Sequence, residues 1–168
     1  GYSVPDYSTT NIQVEGVDEA DIVKTDGEYI YIVSSNSIVI VKAFPAEEAE
    51  VSSRVELNGT LRELFINGDR LVVFEEEGFS VYNLYEKFNS YETPTVLVRV
   101  YDVSDRTNPV SARNVSLDGY YFNSRMIGDY VYVVVNKQAY CQDDEVALPK
   151  VYSDGGAVEI SATDIYYS

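Results

Sequence analysis

No histidine and no tryptophan occur in the 168 residues, and cysteine occurs once. Without histidine the chain assembles neither a Ser-His-Asp nor a Cys-His catalytic group, and it lacks the usual ligand of most zinc sites. The lone Cys141 excludes an internal disulfide; it reads as a small packed side chain or as the partner of a cysteine elsewhere. Basic residues are scarce: 12 Lys and Arg stand against 28 Asp and Glu, a net charge of −16. Such a charge repels phosphate, so nucleic acid is disfavoured as a partner, and an anionic membrane surface with it. No apolar run approaches the roughly 18 residues of a spanning helix, so no membrane insertion is expected. No glycine-rich phosphate loop is visible.

What is present points to strands. Apolar residues make up 45%, and 16 Tyr and 6 Phe supply side chains that suit a pleated sheet. At this length one domain can bury a core. After a polar lead-in, 1–13, a pattern recurs three times: DGEYIYIV (26–33), FINGDRLVVF (65–74) and MIGDYVYVVV (126–135). Each places a Gly or Gly-Asp turn before a β-branched and aromatic run, which is a hairpin signal. Further strands are expected at 37–44, 51–57, 61–66, 95–103, 110–117 and 120–127, with a loop or single helical turn at 45–50. A polar, tyrosine-rich insertion occupies about 77–93, and the tail to Ser168 carries no clear period.

The turn glycines Gly27, Gly68 and Gly128 stand 41 and 60 residues apart, the second gap stretched by the insertion. A period near 40 with about four strands per unit fits a β-propeller blade. Blades packed face to face bury their inner strands on both sides, which accounts for unbroken runs such as IVIV and VYVVV. The expected fold is therefore all-β, a partial β-propeller of two to three four-stranded antiparallel blades, with units near 14–57, 58–117 and 118–168. A β-sandwich is the alternative. Closing a propeller takes at least about four blades, so the sequence reads as a piece of a longer protein. Bare blade faces would make such a piece self-associate through β surfaces, or fold strands back over them.

Several clusters are candidate sites. Asp18, Glu19 and Asp21, with Asp26 nearby, could offer hard oxygen ligands to calcium, although their spacing is not that of the helix-loop-helix calcium loop. Asp102, Asp105 and Asn108 form an oxygen-rich turn suited to capping the local backbone. Asp143, Asp144 and Glu145 read as a solvent loop. Tyr82, Tyr85, Tyr91 and the Tyr120-Tyr121 pair could form a recognition patch or pack between blades. Two glycosylation sequons occur, Asn58-Gly59-Thr60 and Asn114-Val115-Ser116. With 28 carboxylates, no single pair stands out as the acid and base of a glycoside hydrolase.

The stretches NIQVEGVDEADIVKTDGEYIYIV, ELFINGDRLVVF and VRVYDVSDRTNPV resemble the archaeal and bacterial secreted proteins that carry a C-terminal β-propeller domain, distantly related to WD repeats. The likeness is strongest over 11–33, extends over 58–76 and 96–137, and ends with DIYY at 164–167. It implies a propeller fold and an extracellular or cell-surface location, and it brings no catalytic residues with it. The function expected is a non-catalytic binding or scaffold module for a protein or glycan ligand. The alternative is an extracellular carboxylate-based hydrolase whose site is completed by blades absent here.

Overall fold

The computed structural model describes residues 16–77, 94–137, 141–142, 145–146 and 149–161. Expectations for the lead-in, for the insertion beyond Glu77 with Tyr82, Tyr85 and Tyr91, for the Cys141 side chain, for Asp143 and Asp144 and for DIYY fall outside these residues; Glu145, expected in the same loop, begins a short strand.

Three sheets carry the architecture. The first orders β2 (Val23–Thr25), β3 (Tyr29–Ser34), β4 (Ser37–Lys42) and β5 (Glu50–Glu56) as an antiparallel meander. The second repeats that meander with β6 (Thr60–Asn67), β7 (Arg70–Glu77), β8 (Thr95–Asp102) and β9 (Val110–Asp118). The third pairs β10 (Tyr120–Ile127) with β11 (Tyr130–Asn136), and adds β1 (Val17–Glu19) on the free side of β10. Of the later strands, β12 (Cys141–Gln142) pairs, among the described residues, with β13 (Glu145–Val146). β14 (Val151–Ser153) and β15 (Gly156–Val158) do not extend the third sheet. They join the second, along the outer edge of β9, and widen it to six strands. Among the described residues the only helical piece is a single 3-10 turn, Ala46–Glu48, in the 45–50 stretch.

The hairpins follow from their turn residues. Asn67 pairs with Arg70 and Ile127 with Tyr130, so Gly68-Asp69 and Gly128-Asp129 are two-residue turns. Only the first central residue has positive φ in each, Gly68 at +56° and Gly128 at +57°, which is the pattern of a type II′ turn and the one that asks for glycine there. Gly27 has φ +96° in the longer first turn, where the Asp26 carboxylate accepts the amides of Glu28 (3.0 Å) and Tyr29 (2.8 Å).

The middle sheet is buried on both faces, and strand alternation divides its side chains between two cores. Leu71, Val73, Tyr101 and Val103 face the first sheet and pack with Tyr31, Ile38, Ile40 and Leu64. Val72, Phe74, Val96 and Val98 face the third and pack with Phe65 and Met126, with Tyr121 and Val133 against them. Phe74 meets Phe65 edge-on at 5.9 Å and stacks on Tyr121 at 5.0 Å. This two-sided burial is why LVVF runs without a polar break. The expectation for IVIV holds at Ile38, Val39 and Ile40, which are buried. The expectation for VYVVV needs correction. Val131, Val133 and Val135 pack on the middle sheet, but Tyr132 and Val134 face away and are exposed, because no described strand covers that side.

The acidic segment before the first hairpin crosses all three sheets. β1 pairs with β10 through Val17, Asp18 and Glu19; Asp21 then exchanges two backbone hydrogen bonds with Leu64 of β6, at 3.2 and 2.8 Å. Val23 begins the first strand of the first sheet. Residues 17–25 thus lace the same edge of three successive sheets, which gives the stretch VDEADIVKT a structural reason to be as it is.

Candidate functional site

Hairpin turns that start a sheet and loops that end one lie on the same side of the stack. On that side, at the junction of the first and second sheets, the 26–28 turn, the Gly68-Asp69 turn and the β8–β9 loop enclose an open cleft of about 620 Å³. Its walls carry Asp26, Glu28, Tyr29, Asp69, Ser104, Asp105, Arg106 and Thr107.

Arg106 occupies the floor. All five of its N–H donors are used. Nη1 donates to Asp69 Oδ1 (2.5 Å) and to the Val103 carbonyl (2.6 Å). Nη2 donates to Asp26 Oδ2 (3.3 Å) and to the Gly68 carbonyl (3.2 Å), and Nε to the Tyr31 hydroxyl (3.1 Å). The Tyr31 hydroxyl in turn donates to Asp26 Oδ2 at 2.7 Å. The guanidinium also stands 5.6 Å from the centre of the Tyr29 ring, within cation–π range. One side chain from the second sheet thereby ties its own turn to the first sheet's turn and to a buried tyrosine. A flat five-donor fork can do this; an ammonium cannot.

The charges respond to that network. Burial pushes the Asp26 carboxyl up, but the amide of Tyr29, the hydroxyl of Tyr31, the amide of Glu28 and Arg106 together hold it below the ordinary carboxylate value. Burial, and then the Asp26 carboxylate, raise the Tyr31 phenol well above its usual range. A carboxylate held low in the folded state stabilises the fold above its unfolded pKa, and that contribution is lost as pH falls through the lower folded value. The chain is therefore expected to lose stability as pH falls below about 4. Asp26→Asn should flatten part of that acid slope, as followed by thermal melts at a series of pH values.

The loop next to Arg106 is built by capping. Asp102 accepts the Ser104 hydroxyl (2.6 Å) and amide (2.9 Å) and is paired with Arg70, which brings its carboxyl down to about 2. Asp105 accepts the Thr107 hydroxyl (2.6 Å) and amide (2.9 Å), which lower its pKa as well, and the Asp105 carbonyl accepts the Asn108 amide at 3.1 Å. The oxygen-rich turn is thus a pair of side-chain caps that present Arg106 to the cleft.

The four carboxylates considered for calcium are not brought together. Asp18 pairs with Lys24 at 2.7 Å, and Lys24 is only 5% exposed. Glu19 pairs with Arg125 at 3.0 Å; as neighbours in a strand, Asp18 and Glu19 project to opposite faces. Asp21 accepts the Ile22 amide at 2.7 Å, and Asp26 belongs to the Arg106 network. Among the described residues no group of three or more acidic, histidine or cysteine side chains gathers around a point. Melting curves with and without a chelator are expected to coincide; a drop in Tm on chelation, restored by calcium, would show that calcium binds. Arg106 itself escaped the sequence reading. Its only signal was an arginine set between turn-forming acids in a chain with few basic residues.

A second charged cluster sits at the other end of β7. Glu75, wholly buried, accepts Arg99 Nε (2.5 Å) and the Gly59 amide (2.5 Å). Glu76 is bound by Arg62 and accepts the Tyr121 amide at 2.7 Å. These contacts tie the second sheet to the third and to the bend that leads in from the first; no buried polar side-chain atom lacks a partner among the described residues.

Successive antiparallel meanders stacked face to face, opened by equivalent hairpins and joined along one edge, define the blades of a propeller-type repeat protein. The chain belongs to the β-propeller domain family, whose model matches residues 7–168. It is similar to an uncharacterised protein of Methanocaldococcus jannaschii, 31% identical over 133 residues that make up 79% of this chain and 18% of that one. A second uncharacterised protein, from Archaeoglobus fulgidus, is 25% identical over an alignment 175 positions long, which covers 96% of this chain and 24% of that one. The chain thus spans less than a quarter of the length of either relative. No solved structure matches it.

Proposed function

We propose that the chain is part of a non-catalytic binding or scaffold module of a secreted or cell-surface protein, and that the cleft at the first blade junction takes part of its ligand. The observation that carries this is the state of the cleft's charges. The cleft carboxylates that shift, Asp26 and Asp105, are both held low, and Arg106 has spent every donor on the fold. A carboxylate-based hydrolase needs one carboxyl raised so that it stays protonated beside an ionised partner. The cleft supplies a rigid acidic wall, with Glu28 and Asp69 at its lip and the Tyr29 ring beside them. Such a wall suits a basic peptide segment or a hydroxyl-rich glycan. The secreted location is supported by the family likeness and by the strongly acidic composition, which keeps an extracellular protein soluble.

The test uses the full-length protein on immobilised peptide and glycan libraries, with the eluate analysed for cleavage products. Retention of a ligand without product, weakened several-fold by Glu28→Gln, is expected. Turnover that disappears on an Asp or Glu substitution would overturn the reading in favour of the hydrolase.

A further inference from the structure

We propose that Asn58 is the glycan acceptor of this chain and that Asn114, although it heads a sequon of the same form, is not. The inference rests on the secreted or cell-surface reading for its biological setting, and on geometry for the choice of site.

Asn58 lies in the bend between β5 and β6, where the chain passes from one blade to the next. It is exposed, as is Thr60, which completes the sequon, and the Asn58 side chain makes no hydrogen bond among the described residues. The bend around it is nonetheless held on both sides. The Leu57 amide donates to the Asn36 carbonyl at 2.8 Å, and Asn36 Nδ2 donates to the Leu57 carbonyl at 3.2 Å. On the other side the Gly59 amide donates to buried Glu75 at 2.5 Å. Gly59 lies flat against β7: a Cβ there would come within 2.6 Å of the Glu76 carbonyl oxygen and 2.7 Å of Glu75 Cγ. The middle of the sequon is thus pressed onto the sheet while its two reactive residues face solvent, in a surface bend where a bulky glycan breaks no side-chain hydrogen bond of Asn58 among the described residues.

Asn114 is placed the opposite way. It sits within β9, half-buried, with its side-chain oxygen accepting Arg99 Nη1 (3.4 Å) and its Nδ2 donating to Ser111 Oγ (3.3 Å). Its backbone is clasped by Asp154: the Asn114 amide donates to Asp154 Oδ1 and its carbonyl accepts the Asp154 amide, both at 2.8 Å. β14 pairs along the next three residues, Val115 to Leu117. A glycan on Asn114 would have to break the side-chain contacts and crowd the strand that closes the outer edge of the sheet.

The donor class is an oligosaccharide carried on a lipid phosphate or pyrophosphate. A bond forms between Asn58 Nδ2 and the anomeric carbon of the first sugar, and the bond from that carbon to the phosphate oxygen breaks. The lipid phosphate leaves with the bonding pair, and the amide nitrogen releases one proton to a base of the transferase.

Full-length protein would be purified from its own cells, with its location scored by fractionation, and in parallel from a host that glycosylates the proteins it secretes. Peptides containing Asn58 and Asn114 would be weighed from both. The expected result is a sugar mass on most Asn58 peptides and on few Asn114 peptides, lost in Asn58→Gln and Thr60→Ala but kept in Thr60→Ser, with melting curves confirming that the variants fold. An unmodified Asn58 in the secreting host overturns the proposal. So does equal occupancy at Asn114, or a bare Asn58 on native protein recovered outside the membrane. Modification in the host combined with an intracellular native protein supports the acceptor and overturns the secreted reading instead.

Discussion

Replacing Arg106 with alanine is expected to lower the stability of the chain by about 3 kcal/mol, measured by urea unfolding. The truncation removes five hydrogen bonds at once and leaves Asp26, which is mostly buried, facing the Tyr31 hydroxyl without its cation. Breaking one side of a largely buried pair costs more than the pair itself contributes, because the remaining charge stays desolvated. Lysine should recover less than half of the loss, since a point charge on a flexible stem cannot reach two turns, a carbonyl and a phenol together. A loss within error for Arg106→Ala would show that the two blades hold together through their apolar cluster alone.

Arg106 also marks where the sequence stops being informative. The repeated hairpins were legible because their signals are local: a turn glycine, then a run of alternating or fully buried β residues. The all-β class, the strands and the turns at Gly68 and Gly128 follow from that. What could not be read are facts of sequence separation. Arg106 meets Asp26 across 80 residues, and nothing in DRTNP shows that its partner is the turn of another blade. The same holds for β1, which looks like part of the first unit yet pairs with β10, and for β14, which passes over its own unit to join β9. The acids of VDEADIV resembled a ligand set because a sequence shows their number and not their direction. In the fold, Lys24, Arg125 and the Ile22 amide each take one.

The isolated 168-residue chain is expected to self-associate. The side of the β10–β11 hairpin turned away from the middle sheet carries Tyr120, Phe122, Tyr130, Tyr132 and Val134, with Phe122 65% and Tyr130 71% exposed. Side chains of this size each gain about 1.5–3 kcal/mol on full burial, so a contiguous face of them is costly in water. Sedimentation velocity over a wide concentration range should show dimers or larger species. The double variant Phe122→Ser, Tyr132→Ser should move the chain towards monomer without loss of strand signal. A wild-type monomer at all concentrations would mean that the face is tolerated in solution.

We propose that this chain forms consecutive blades of a larger propeller, so that the outer side of β10–β11 is an interior surface of the full-length protein. Covalent tyrosine labelling followed by peptide mapping tests it most directly. Tyr130 should be labelled readily in the monomerised Phe122→Ser, Tyr132→Ser chain, and in the native full-length protein both Tyr130 and Tyr132 should be protected to the level of buried Tyr31. Labelling of Tyr130 and Tyr132 in the full-length protein at the rate of a solvent-exposed tyrosine would contradict the account.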